Sequence, residues 1–145
     1  MKKGEKSTKS LLEMIKTDPE VFIDNLEEKE LKDNETMFIE FFYRLLEKNK
    51  LTIKQLVYKT TISQSYLYQI ASKKRRLGRD TAIILAFAMR LSFEETQKLL
   101  KYSNNAVLYP KVRRDAIIIC CIDSKMTFEQ ANEILLEKSE KGLVV

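Results

Sequence analysis

The sequence predicts an all-α protein, and three observations carry that prediction. Apolar residues recur three and four positions apart, as in Phe38, Phe41, Phe42, Leu45 and Leu46, which makes one buried helix face. Three segments place a Ser or Thr three residues before a Gln or Glu and directly behind an apolar residue: Leu51-Thr52-x-x-Gln55, Leu91-Ser92-x-x-Glu95 and Met126-Thr127-x-x-Gln130. Each is a capping box with a hydrophobic staple, so each starts a helix. The 145 residues include only 3 Gly and 2 Pro, too few turn residues for a sandwich or barrel.

Residues 1–35 read as an acidic, helical N-terminal extension. Asp18-Pro19-Glu20 supplies an N-cap acid, a first-turn Pro and a second acid at the positive end of the dipole, and Val21, Phe22, Asn25 and Leu26 follow as a short stripe. The charged run EEKELKDNE closes this segment near Asn34. A central domain, 36–103, opens with the helix from Met37 to EKNK and continues with a short helix capped by Thr52. Ser63 caps the next, SQSYLYQIAS, whose Leu67 and Ile70 face inward; Gly78 precedes the apolar helix RDTAIILAFAMR; Ser92 caps the last. The C-terminal tail, 104–145, is expected to pack on this domain. In it Pro110 opens a helix from about Lys111 to Asp123, apolar on nearly every side between Ala116 and Ile122, and Thr127 caps the final helix. SFEETQKLL and TFEQANEILL, 35 residues apart, are similar in letters; shared capping chemistry is taken as the reason, in preference to a repeat.

The formal net charge of +5 conceals a strong partition. Residues 1–36 carry 7 bases and 10 acids, residues 37–92 carry 11 and 3, and residues 93–145 carry 8 of each. From Lys48 to Arg79 there are nine bases and no acid. Like charges repel and cost stability, so an acid-free window of this length points to an anionic partner, of which nucleic acid is the commonest. The alternative is cover by the acidic extension.

The chain has no His, which excludes Ser-His-Asp, Cys-His and His-zinc chemistry. No glycine loop, metal-ligand spacing or paired acids replace it, so no enzyme activity, metal or cofactor is expected. Cys120 and Cys121 lie together in AIIICCI and read as small core residues in a reducing compartment. Arg113, Arg114 and Asp115 read as surface or interface ion pairs. The longest apolar run, Ala116 to Ile122, is far too short to span a membrane, and the N-terminal residues do not resemble a secretory signal; a cytoplasmic protein is expected.

From Phe41 to about Leu100, the order helix, capped short helix, tight turn, Ser-capped second short helix, basic loop and apolar helix resembles the lambda-repressor-like, or xenobiotic-response-element (Xre) type, helix-turn-helix regulators of bacteria and phages. The resemblance implies a lambda-repressor-like helix bundle and a sequence-specific, double-stranded-DNA-binding transcriptional regulator that reads the major groove with helix 63–72. It implies base contacts from Gln64, Ser65, Tyr66 and Gln69, where Gln suits bidentate pairing with adenine. Thr52, Lys54, Ser72, Lys73, Lys74, Arg75, Arg76 and Arg79 are then the phosphate contacts. A homodimer, joined through the apolar helix Ala116–Ile122, is expected as well. Three positions depart from the family pattern: Ile53 replaces a phosphate-gripping Gln, and Thr61 and Lys73 replace glycines, Thr61 in a turn where a positive φ is usual. These departures keep a second reading open, an adaptor that uses the helix-turn-helix scaffold to bind an unidentified protein partner without reading DNA. RNA stacked on Tyr66 and Tyr68 is a third.

Overall fold

The computed structural model describes residues 34–145; the helix start at Asp18-Pro19-Glu20 and its stripe lie outside them. Among the described residues there are seven α-helices and no strand: α1 (Asn34–Lys48), α2 (Ile53–Lys59), α3 (Gln64–Ala71), α4 (Arg79–Ala88), α5 (Phe93–Tyr102), α6 (Arg113–Asp123) and α7 (Phe128–Glu137). No helix of these is long and apolar enough to cross a membrane.

The three capping boxes form as the sequence predicts. The hydroxyls of Thr52, Ser92 and Thr127 accept the N–H of Gln55, Glu95 and Gln130, whose side chains accept the cap N–H in return. Ser63 caps α3 through the N–H of Tyr66. α6 starts at Arg113, two residues later than expected, because Pro110 and Lys111 form a turn closed by Val112 N–H to Tyr109 C=O (3.0 Å).

Helix ends show how a chain with so few glycines terminates its helices. Six of them end on a non-glycine residue of positive φ: Lys50 (53°), Lys73 (63°), Arg90 (53°), Asn104 (60°), Lys125 (57°) and Ser139 (60°). In each, the next residue's N–H returns to a carbonyl five residues back, as Lys74 does to Gln69 (2.8 Å) and Leu91 to Ala86 (2.9 Å), which is a Schellman cap. Four of the six are Lys or Arg, whose charge favours a helix C-terminus. Where the following residue is Leu51, Leu91 or Met126, it stands directly before the N-cap of the next helix, so one unit, basic–apolar–Ser/Thr-x-x-Glu/Gln, joins α1 to α2, α4 to α5 and α6 to α7.

One core runs through all seven helices. Phe42, Leu56, Ile62, Leu67, Ile70, Ile83, Leu85, Leu99, Leu100, Ile118 and Leu135 are among its most buried members. α1 packs on α5, α2 on α3 and α4, and α6 and α7 on α5 and α4 respectively. Cys121 is buried, but Cys120 is exposed, which corrects the placement of both thiols in the core: α6 turns only Ile118, Cys121 and Ile122 fully inward along this stretch.

The similarity between SFEETQKLL and TFEQANEILL is more than shared capping, and here the sequence expectation is overturned. Residues 79–110 and 114–145 make the same contacts at positions 35 apart. Arg79 Nε and Nη2 donate to the carbonyls of Ala106 (2.8 Å) and Val107 (3.2 Å); Arg114 Nε and Nη2 donate to those of Lys141 (2.8 Å) and Gly142 (3.0 Å). The Gln97 amide pairs with both backbone groups of Leu108, and the Asn132 amide with both of Leu143. Between the copies the contacts cross: Arg79 holds Asp115 and Arg114 holds Asp80, while Asp115 accepts Tyr109 N–H (3.0 Å) and Asp80 accepts Val144 N–H (3.3 Å). Two helical hairpins thus face each other about a local two-fold axis. Arg114 and Asp115, expected in surface or interface pairs, are instead half-buried and buried and bind within the chain.

Candidate nucleic-acid interface

The α2–α3 unit closes without a glycine. The Thr60 hydroxyl donates to Leu56 C=O (2.7 Å) and accepts Ile62 N–H (3.2 Å), which turns the chain in extended backbone geometry. Thr61 has no positive φ, so its β-branched side chain carries no strain there. Lys73 does occupy the left-handed region, as the second glycine position implies. Ile53 is half-buried against the core.

α3 buries Leu67 and Ile70 and leaves Gln64, Ser65, Tyr68, Gln69 and Ser72 exposed. Positions 64, 65, 68, 69 and 72 are one, three and four residues apart, so they share a face. Tyr66 does not stand free with them. It is half-buried, its phenolic oxygen accepts Gly78 N–H (3.3 Å), and the Arg75 guanidinium lies 4.3 Å from its ring centroid. Tyr66 therefore ties the basic loop back onto α3 and has its ring covered, in contrast to the free base-reading side chain expected.

The bases of the acid-free window have different fates. Lys48 pairs with Glu95 (2.9 Å) at the surface. Arg75 is stacked on Tyr66, and Lys73 Nζ donates to the Thr36 hydroxyl (3.2 Å). Arg79, expected on phosphate, is directed inward; four of its N–H contacts go to Asp115, Ala106 and Val107, and its charge is neutralised by a buried carboxylate. Lys54, Lys59, Lys74 and Arg76 are exposed and have no acid partner among the described residues. Thr52 is exposed with its oxygen engaged by the cap, and the Ser72 hydroxyl donates to Tyr68 C=O (2.8 Å).

Burial alone would push the Glu95 carboxyl up, but the Ser92 N–H and the Lys48 ammonium outweigh it and hold Glu95 below the usual carboxylate range. Burial pushes the Cys121 thiol up, and the neighbouring Cys120 adds to the shift. Among the described residues no cluster of acids and thiols is placed to hold a metal ion.

Two features escaped the sequence reading. Thr60 as the turn-maker is signalled only by its hydroxyl four residues after Leu56. Gly78 as a donor to Tyr66 had no local signal at all. Comparison with protein families, with curated proteins and with solved structures found no match to this chain.

Proposed function

We propose that the protein is a sequence-specific, double-stranded-DNA-binding transcriptional regulator of lambda-repressor-like, Xre-type architecture. The observation that carries this reading is the exposed polar face of α3, with Gln64, Ser65 and Gln69, flanked by the exposed cations Lys54, Lys74 and Arg76, which have no acid partner among the described residues. Gln64 and Gln69 supply base-edge hydrogen bonds, while Lys54, Lys74 and Arg76 neutralise phosphate and set the register; Lys73, expected among them, is engaged by Thr36. Arg75, clamped on Tyr66, holds the loop that presents them. Arg79 is left out of the phosphate set because Asp115 already binds it. No catalytic group is assigned.

A homodimer belongs to this reading, since two reading helices related by a two-fold axis match the two half-sites of a palindromic operator. The seam proposed for it avoids α6, which spends Ile118, Cys121 and Ile122 on the core of its own chain. Val107, Tyr109, Val112, Val144 and Val145 are exposed near the N-terminal ends of α4 and α6 and supply the apolar side chains for this seam. The same area favours the second reading, an adaptor binding another protein.

Selection from a random duplex library tests the first reading. A regulator enriches one sequence motif, and Lys74→Glu with Arg76→Glu abolishes the retention. An adaptor enriches none and keeps its protein partner in the charge-reversed variant.

A further inference from the structure

Behind the basic loop lies a cavity of about 150 Å³ between α1, the α3–α4 loop and the end of α5. Its floor is apolar: Phe38, Ile70 and Leu77 are almost fully buried, and Ile39 and Tyr102 are partly so. Its mouth is cationic. Lys73, Lys74, Arg75 and Arg76 line it, against the single acid Glu35. A void of this order with an apolar lining accommodates a benzene-sized ring, and a pocket that combines such a lining with a few convergent charged groups is the usual form of a small-molecule site.

We infer that this cavity binds a small organic anion, a ring-sized apolar body carrying one carboxylate or phosphate. The body fills the space over Ile70 and Leu77. The head meets Lys74 and Arg76, whose charges no acid among the described residues neutralises. Arg75 is already stacked on Tyr66, and Lys73 is tied to Thr36, so they shape the mouth and leave the head to their neighbours. Lys74 and Arg76 also meet DNA phosphate in the proposed function. Ligand and DNA therefore compete for them, and each weakens the other's binding to the same degree. That consequence rests on the proposed function; the site itself does not.

Titration of the full chain, labelled at Ile methyl groups, with benzoate, phenyl phosphate, benzyl alcohol, acetate and inorganic phosphate tests the site. Benzoate or phenyl phosphate is expected to shift the Ile39 and Ile70 methyls saturably, with binding at least tenfold tighter than benzyl alcohol, acetate or inorganic phosphate. Which of the two binds tighter identifies the head. Replacing the exposed pair, Lys74→Ala with Arg76→Ala, is expected to bring the anions down to the level of benzyl alcohol and to leave benzyl alcohol unchanged. Equal binding of benzyl alcohol, no saturable shift at Ile39 and Ile70, or anion binding unaffected by the double replacement would overturn the inference. No DNA is present in the titration, so its failure is separate from a failure of DNA binding.

Discussion

Arg79 and Asp115 meet through two N–H···O contacts of 3.2 and 2.9 Å, and their sequence neighbours Asp80 and Arg114 meet through two of 3.2 and 3.0 Å. The two pairs cross between the hairpins, so each arginine joins its own hairpin's C-terminal segment to the other hairpin's first turn. Asp115 is 5% exposed, and removing one partner of a buried, hydrogen-bonded pair leaves an uncompensated charge, at a cost of about 3–5 kcal/mol. Asp115→Ala is therefore expected to lower unfolding stability by that order in urea titration. Asp80 is the more exposed of the two carboxylates, 21% against 7% for Asp115, so Asp80→Ala is expected to cost less. Equal and small losses would mean the crossing is incidental.

Arg90 is exposed and holds φ at 53°. Glycine enters this region without the Cβ penalty, which is about 1–2 kcal/mol, but loses more chain entropy on folding. Arg90→Gly is expected to stabilise the protein by about 0.5–1 kcal/mol on balance, read as a higher denaturation midpoint. The same gain is expected for Lys125→Gly, the residue 35 positions on.

Glu95 is held below its ordinary value, so the stability it contributes is present above about pH 4.5 and is lost as pH falls through its lower folded value. Glu95→Gln keeps the capping box, as Gln55 and Gln130 do in theirs, and loses only the ion pair with Lys48. Since Lys48 is 66% exposed, the loss at neutral pH is expected to be no more than about 0.5 kcal/mol. The acid side of the stability profile should become shallower. A steeper one would contradict this account.

Cys120 is exposed, whereas Cys121 is buried with its thiol shifted up. A thiol-specific reagent at pH 8 is expected to modify one cysteine in the folded protein and two in denaturant. Cys120→Ser should remove the fast reaction entirely.

What the sequence discloses is local. A capping box lies within four residues, so all three were legible, and the periodic Phe38–Leu46 face placed α1. The Schellman caps were not, because their usual glycine is replaced by Lys or Arg; the repeated order basic–apolar–Ser/Thr at Lys50, Arg90 and Lys125 was the available signal. The hairpin repeat was missed because only eight of its 32 aligned positions are identical, and what recurs is a set of pairings. The Arg-Asp dipeptides at 79–80 and 114–115 were its clearest trace. In the candidate interface the polar positions on α3 were readable from helical period. The fate of each cation was not, since Arg79 is neutralised by an acid 36 residues away and Arg75 is stacked on a ring across a turn. A run of like charges looks uniform until its tertiary partners are known.

The proposal that α3 and its basic loop read duplex DNA is checked by measuring affinity for a selected duplex against salt concentration, for the unaltered chain and for two variants. A steep salt dependence is expected, lessened by about 0.9 log unit per log unit of salt for each phosphate contact removed, hence by about 1.8 in Lys74→Ala with Arg76→Ala. Gln69→Ala is expected to leave the slope unchanged and to lower discrimination at one base pair by about 1–3 kcal/mol. No binding to any duplex at low salt, or binding whose slope and sequence preference are the same in all three proteins, would contradict it.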